Sequence, residues 1–249
     1  MISLGLDSGS SMTKAVLLED TKIIDTKMIP TSISPRKSLE ALYREIKKQH
    51  KEIDVIVTTG YGRNLLDQAD FKITEITCHA AGAFFMNPDC DTIIDIGGQD
   101  VKGIAIDTDG TVLNFSMNDK CAAGTGRFFE SMARAFEMSL DEFSKLSLTA
   151  KNVIPITAQC AVFAESEVIS LVGEGKPMEE IAAGIELSVA KRCFVMAKKA
   201  GVVESVTLTG GCAKNEGLKQ AIEKVLKVKV VELPIDPQLM GALGAAEYA

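Results

Sequence analysis

One short pattern occurs twice in the sequence, and this repetition is the strongest constraint on the fold. When Asp95 is placed on Asp7, Lys102 falls on Lys14, and the frame D-x-G-S/G-x-x-x-K-x-V/I-x-L/I recurs at an offset of 88 residues. Each copy begins with a short apolar run, turns at a glycine and continues with alternating apolar residues, which is the pattern of two strands joined by a tight hairpin. A repeat of this length predicts two lobes built on the same hairpin.

Helical and strand patterns alternate through the rest of the chain, which predicts an α/β fold. At 249 residues the chain is long enough for one large domain or for two lobes that each bury a core, and the repeat favours two lobes. We expect residues 1–91 to form the first lobe and residues 92–233 to form the second. The closing segment, 234–249, carries small residues that let a helix approach another backbone closely, so we expect it to return to the first lobe.

The local patterns also predict individual elements. Apolar residues at helical spacing, interrupted by Gly, Pro or Asn, predict helices, and short runs with alternating apolar residues predict strands. Helices are predicted at 35–48, 121–136, 140–146, 162–174, 178–200 and 217–226, and strands at 112–117, 153–158, 205–209 and 228–232.

The charge and the composition exclude some classes of function. A net charge of -7 offers no basic face for a phosphate backbone, so nucleic acid is not expected as a partner. The sequence begins without a charged leader and contains no apolar run of the roughly 18 to 20 residues that span a bilayer. We therefore expect a cytoplasmic protein, in which the six cysteines would remain reduced.

The two glycine turns predict a clamp for nucleotide phosphates. A glycine in a tight hairpin leaves room for a polyphosphate, and its backbone N–H groups can point at phosphate oxygens. Asp7 and Asp95 lie at strand ends, where they are suited to holding Mg²⁺ through water. Gln99 and Asp100 are the nearest polar candidates to orient a hydrolytic water, so these four are the predicted catalytic residues. The predicted nucleotide-binding residues of the two turns are Gly9, Ser10, Ser11, Met12, Thr13 and Lys14, and Gly97, Gly98 and Gln99.

A third glycine turn completes this arrangement. In VTLTGGCAKNEGL a predicted strand ends at Gly210 and Gly211, where the backbone can pass close to a flat adenosine, and a helix begins near Asn215. The order of loop, loop and Gly-Gly turn resembles the actin, sugar-kinase and heat-shock chaperone superfamily. This resemblance implies duplicated ribonuclease H-like lobes that bind ATP or ADP. Arg127 is expected either to contact phosphate or to cap its helix. We extend the predicted nucleotide site to Gly124, Thr125, Gly126, Arg127, Gly210, Gly211, Lys214 and Asn215.

Several longer stretches resemble a narrower family. DIGGQDVK, NDKCAAGTGRF, CAVFAESEVIS and TGGCAKN, together with TGYGRN and GALGAA, are similar to the activator component of 2-hydroxyacyl-CoA dehydratases, in the BadF/BadG/BcrA/BcrD ATPase family. The resemblance covers nearly the whole chain. It implies a homodimer that hydrolyses ATP and passes one electron to a separate dehydratase. Reduced ferredoxin or flavodoxin would supply that electron.

Two cysteines are candidates for metal ligands. Cys121 and Cys160 are each predicted to lie at the start of a helix, whose partial positive charge lowers the pKa of a thiol and stabilises an anionic iron-sulfur centre. Neither belongs to a C-x-x-C pair, so the spacing of an ordinary zinc site is absent. Their spacing alone leaves both a bridging cluster and buried structural thiols open. The family resemblance implies one 4Fe-4S cluster held at the dimer interface by these two residues of each subunit. No chemistry is assigned to Cys78, Cys90, Cys193 and Cys212.

Two other functions remain open from the sequence. A sugar-type kinase of the same superfamily would share the phosphate clamp and would use Asp100 as the base that deprotonates a sugar hydroxyl. A binding module that only senses nucleotide is a third possibility, although the chain lacks a peptide-binding domain. Within the activator family, the partner is either a dehydratase or a related double-cubane or benzoyl-CoA-type reductase. Glu165 is a weaker candidate than Gln99 for orienting water.

Overall fold

Two five-stranded sheets with the same strand order form the framework of the molecule. The computed structural model describes residues 1–118, 124–157, 160–201 and 204–249. The first sheet contains β1 (Ile2–Ser8), β2 (Met12–Glu19), β3 (Lys22–Pro30), β4 (Val55–Gly60) and β5 (Phe71–Lys72). The second sheet contains β6 (Thr92–Ile96), β7 (Val101–Ile106), β8 (Val112–Asn118), β9 (Val206–Thr209) and β10 (Val230–Val231).

The two sheets match strand by strand. Their orders are β3-β2-β1-β4-β5 and β8-β7-β6-β9-β10. In each sheet the first three strands are antiparallel, and the last two continue in parallel to the central strand. Asp7 pairs with Lys14 across the first hairpin, and Asp95 pairs with Lys102 across the second. The sequence repeat is therefore a structural repeat in the same register, which confirms the predicted duplicated α/β fold.

Eight helices surround these sheets in the described part of the chain. Local signals fix several of their ends: α4 begins with a capping box between Ser139 and Glu142, and α1 has a proline in its first turn and lysines in its last. None of the helices combines the length and the apolar character needed to span a membrane, among the residues described. The helices are α1 (Pro35–Gln49), α2 (Glu75–Met86), α3 (Gly126–Ala135), α4 (Leu140–Ser147), α5 (Ala161–Gly173), α6 (Met178–Ala200), α7 (Glu216–Leu226) and α8 (Met240–Glu247).

The last helix, α8, packs closely against the first sheet and α2. A Cβ atom on Gly5 of β1 would collide with the carbonyl oxygen of Ala242, and one on Gly244 would collide with that of Cys78. Gly82 of α2 faces the carbonyl of Met240 in the same way. These glycines let backbones meet at distances that a side chain would prevent, which places the end of the chain over β1.

Two element predictions were wrong. The helix predicted from Cys121 begins only at Gly126, because Gly124 has a φ of +98°, which a right-handed helix does not accommodate. Cys121 itself lies outside the described residues. The strand predicted at 153–158 is absent over 153–157; there the amide of Ile154 donates to the carbonyl of Glu180, close to α6, and not to a neighbouring strand.

Candidate functional site

A cleft of about 520 Å³ is lined by the turns of both repeated hairpins. The third glycine turn, after β9, also lines it. Six of the predicted catalytic and nucleotide-binding residues do not line the cleft: Asp7, Thr13, Gln99, Gly124, Thr125 and Arg127. The predicted residues that do line it are Gly9, Ser10, Ser11, Met12, Lys14, Asp95, Gly97, Gly98, Asp100, Gly126, Gly210, Gly211, Lys214 and Asn215.

The two hairpin turns face each other directly. A Cβ atom placed on Gly98 would lie 3.0 Å from the hydroxyl of Ser10 and closer still to that of Ser11. The Ser11 hydroxyl is buried and has no hydrogen-bond partner among the described residues. A buried donor without a partner costs free energy, so this hydroxyl is available for a ligand that enters between the turns.

The first hairpin carries a buried carboxylate beside a lysine that reaches the cleft. Lys14 Nζ donates to Asp7 Oδ2 at 2.8 Å. Although burial opposes it, the Asp7 carboxylate raises the pKa of Lys14, which keeps the ammonium charged. The second oxygen of Asp7, Oδ1, is buried without a partner in the described chain. Asp7 therefore keeps one buried acceptor without a partner among the described residues.

The second hairpin uses its lysine differently. Lys102 is 1% exposed and does not line the cleft. Its Nζ donates to Glu75 Oε1 at 3.0 Å, to Asp95 Oδ2 at 2.9 Å and to Asp100 Oδ2 at 2.6 Å. Burial lowers the pKa of Lys102, but the three carboxylates outweigh burial and hold it well above its usual value. Lys102 thus balances the carboxylates at the floor of the cleft.

Helix α2 contributes two polar residues that were not predicted from the sequence. Glu75 and His79 are one turn apart on α2 and both line the cleft. His79 Nδ1 lies 3.1 Å from the hydroxyl of Thr209 and 3.4 Å from Asp95 Oδ1. Glu75, His79 and Asp95 are close enough to hold a metal ion, but the Lys102 ammonium already bonds two of them. Glu75 and His79 are four residues apart, and this spacing on a helix was the sequence signal that could have indicated that they lie on the same face.

The start of α3 braces the second hairpin turn. The amide of Gly126 donates to the carbonyl of Gly97 at 2.9 Å, and the amide of Arg127 donates to that of Gly98 at 3.0 Å. These two amides are therefore engaged by protein. The Arg127 side chain is exposed and pairs with Glu130 at 3.2 Å, while Gln99 is exposed on the turn itself.

The far end of the cleft combines a glycine turn with apolar side chains. Gly210 has a φ of +84°, and a Cβ there would lie 2.5 Å from the carbonyl oxygen of Ile96. Asn215 caps α7 by accepting from the amide of Leu218 at 2.9 Å. Apolar atoms beside a glycine backbone suit a flat, largely apolar base. Residues at this end that sequence patterns did not reveal are Phe129, Glu130, Leu140, Asp141, Ser144 and Gln238.

A buried glutamate lies behind this end of the cleft. Glu186 of α6 is 2% exposed, and Ser147 donates a hydrogen bond of 2.6 Å to its Oε2. Burial raises the pKa of Glu186 to about 7, against the effect of that hydrogen bond. No sequence pattern indicates this residue, because its burial results from the packing of α4 and α7 against α6.

Cys160 lies at the start of a helix with an exposed apolar surface. It is the N-cap residue of α5, as predicted, and it is exposed. Three nearby side chains of α5 are also exposed: Val162, Phe163 (70%) and Ile169 (58%). The other described cysteines are free and buried; burial raises the pKa of both Cys78 and Cys193 to about 12. They are therefore protonated structural residues near neutral pH.

The two hairpins have the same register and face each other across a cleft that has a glycine turn at one end. This arrangement defines a nucleotide-binding protein of the actin, sugar-kinase and heat-shock chaperone superfamily. A glucokinase of the ROK family from Streptomyces griseus shares this fold, with a TM-score of 0.59 at 13% identity over 100% of this chain and 99% of that one.

Within that class, the chain belongs to the BadF/BadG/BcrA/BcrD ATPase family, which it matches over residues 4–249. It is 46% identical to the activator of lactoyl-CoA dehydratase from Anaerotignum propionicum, over 100% of this chain and 97% of that protein. The solved activator of the 2-hydroxyisocaproyl-CoA dehydratase from Clostridium difficile, with bound ADPNP, has a TM-score of 0.91 at 43% identity. That comparison covers 100% of this chain and 94% of that one.

Proposed function

We propose that the protein is an ATP-dependent activator of a 2-hydroxyacyl-CoA dehydratase and works as a homodimer. The observation that carries this proposal is the full-length similarity to dehydratase activators in a chain whose repeated turns face each other across a cleft. The activation is reductive, and reduced ferredoxin or flavodoxin is the proposed source of electrons. Hydrolysis of ATP is coupled to it.

The proposed nucleotide site uses the two hairpin turns as a phosphate clamp. Lys14 and the Ser11 hydroxyl would contact phosphate oxygens, because both reach the space between the turns. Asp7 and Asp95 would hold Mg²⁺ through water, and Gln99 or Asp100 would orient the attacking water. The turn at Gly210 would receive the adenosine.

Two lobes would close on this nucleotide. We propose residues 1–91 with the helix of 234–249 as one lobe and residues 92–233 as the other. A ligand shifts such an equilibrium only if it binds one arrangement more tightly. A nucleotide that contacts both hairpin turns at once would bind the closed arrangement more tightly, because only that arrangement brings the two turns together.

The residues at α5 fit a thiolate-bound cluster. Cys160 is exposed at a helix N-terminus, whose partial positive charge suits an anionic cluster, and the exposed apolar side chains beside it suit a subunit interface. Cys121 and Cys160 of each subunit would hold one 4Fe-4S cluster. When bound, this cluster supplies a one-electron redox centre of low potential.

The geometry of Asp100 argues against the sugar-kinase alternative. A kinase would need this carboxylate as a base that is free to accept a proton from a sugar hydroxyl. Asp100 Oδ2 instead accepts from Lys102 at 2.6 Å and from the Tyr61 hydroxyl at 3.0 Å. This oxygen of Asp100 already accepts two hydrogen bonds from protein donors, so it is not available to a sugar hydroxyl.

The test is an oxygen-free activation assay with the 2-hydroxyacyl-CoA dehydratase encoded in the same genome. We expect dehydration only when the protein, ATP, Mg²⁺ and a strong reductant are all present. Lys14→Met should abolish activation, whereas Lys27→Met, which removes a lysine that pairs with Glu45 and does not line the cleft, should not. Dehydration that proceeds without ATP, or phosphorylation of a sugar by this protein, would contradict the proposal.

A further inference from the structure

The turn after β4 brings a tyrosine from the first sheet to the second hairpin. The Tyr61 hydroxyl donates to Asp100 Oδ2 at 3.0 Å. The side chain of Asp100 is buried, whereas Tyr61 is 55% exposed. Packing alone therefore does not hold the tyrosine, and its polar end makes the specific contact. Burial and the nearby Asp100 carboxylate raise the pKa of Tyr61, so the hydroxyl stays protonated and donates.

The backbone of residues 60–63 is shaped to present this side chain. Gly60 has a φ of +82°, and a Cβ there would lie 2.6 Å from the carbonyl oxygen of Ser8. The amide of Gly62 donates to that same carbonyl at 3.1 Å, and the Arg63 guanidinium donates to the carbonyl of Gly60 at 3.2 Å. Ser8 directly follows Asp7, so Tyr61 is fixed relative to the first hairpin.

Asp100 is also held by Lys102, which donates to the same carboxylate oxygen as Tyr61. Lys102 donates to it at 2.6 Å and also bonds Glu75 at the start of α2. Removing the tyrosine hydroxyl would leave Asp100 in place and would delete only the link between the two hairpins. The TGYG segment thus joins the first turn to the second by one hydrogen bond to a charged group.

We propose that Tyr61 is a positioning residue that fastens the two phosphate turns together across the cleft and thereby sets the affinity for nucleotide. The inference rests on the proposed nucleotide site. Nucleotide binds the arrangement in which both turns are close, and apparent affinity falls in proportion to the population of that arrangement. A hydrogen bond to a charged group that forms only when the turns are close can change the population of that arrangement by about ten- to a hundredfold.

The test compares wild type with Tyr61→Phe, which keeps the ring and loses only the hydroxyl. Release of fluorescent mant-ADP, followed by stopped flow, should become about ten- to a hundredfold faster. The KM for ATP should rise by a similar factor while kcat changes little, because the lost interaction acts on ground state and transition state alike. Urea unfolding of Tyr61→Phe should remain cooperative, so that the faster release reports the lost link between the turns and not loss of the fold.

Tyr248→Phe is the matched control, since Tyr248 is similarly exposed and lies outside the cleft. It should release mant-ADP at the wild-type rate. If wild type binds mant-ADP and Tyr61→Phe releases it within about twofold of wild type, the role of Tyr61 is overturned while the nucleotide site stands. If wild type binds no mant-ADP at all, the nucleotide site and the inference both fall.

Discussion

At the scale of single residues, the repeated lysines show that equivalent positions have diverged. The side chain of Lys14 is 14% exposed and reaches the cleft, with Asp7 as its partner. Lys102 is almost fully buried and bonds three carboxylates. The first lysine can therefore meet a ligand, whereas the second neutralises the protein's own charges.

Removal of the buried ammonium should be costly. Lys102→Met leaves Glu75, Asp95 and Asp100 without their shared cation, and breaking a buried ion pair in this way costs about 3–5 kcal/mol. Urea unfolding should show this loss, and adding Glu75→Gln to the variant should recover part of it by removing one surplus charge. Lys27→Met, at the exposed pair with Glu45, should cost less than about 1 kcal/mol. Equal losses for the two lysine variants would contradict the account.

Glu186 should make stability depend on pH. Its pKa rises from 4.5 to about 7 on folding, so the folded state holds the proton more tightly than the unfolded state. The contribution of Glu186 to the free energy of unfolding is fully present below pH 4.5 and is lost as the pH rises towards 7.

Comparison with Glu186→Gln isolates this effect, because other titrating groups cancel. Between pH 4.5 and pH 8 the free energy of unfolding of Glu186→Gln should rise by about 3 kcal/mol relative to that of wild type. Urea unfolding at several pH values measures it, and a difference that stays constant with pH would refute the expectation.

Sequence patterns revealed the residues of the site that repeat or that form turns, and missed those that folding assembles. Asp95 and Lys102 were found because they recur in frame with the first hairpin. His79 and Tyr61 meet the second hairpin from distant points in the chain, through tertiary packing. The spacing of residues along the sequence does not indicate such partners.

At the scale of elements, the contact between α2 and α8 depends on the absence of side chains. Gly244→Ala would place a methyl group against the backbone of Cys78, and overpacking of this kind costs about 1–3 kcal/mol. Thermal or urea unfolding should show the loss. Gly173→Ala is the matched control, since no described atom beyond its chain neighbours and its own helix backbone lies within 4 Å of the added Cβ, and it should be neutral or slightly stabilising. A neutral Gly244→Ala would disprove the close approach.

Helices with strong local signals were predicted well, and segments that depend on distant partners were not. The bounds predicted for α6, 178–200, agree with the structure. The predicted strand at 153–158 had the right residue types, but no strand of the described chain forms hydrogen bonds with residues 153–157, and Ile154 bonds α6 instead. A strand requires a partner, which a local pattern cannot supply.

At the scale of the whole molecule, the exposed apolar surface of α5 is the proposed dimer contact. Ile169→Glu places a charge on this surface and should yield a monomer by light scattering. Nucleotide binding should survive, because the cleft lies elsewhere, while dehydratase activation should be lost. Ile33→Glu, at a fully exposed position before α1, should leave the dimer intact. An Ile169→Glu variant that remains a fully active dimer would place the interface on another surface.

The duplicated architecture was predictable because the repeat itself encodes it, whereas subunit assembly was indicated only by family resemblance. The most direct test of the account is iron and sulfide analysis of the protein purified without oxygen, together with its mass in solution. We expect a homodimer with about four irons and four sulfides, and loss of both in Cys121→Ala and Cys160→Ala but not in Cys90→Ala. A colourless, iron-free monomer that hydrolyses ATP at an undiminished rate would contradict the central claim.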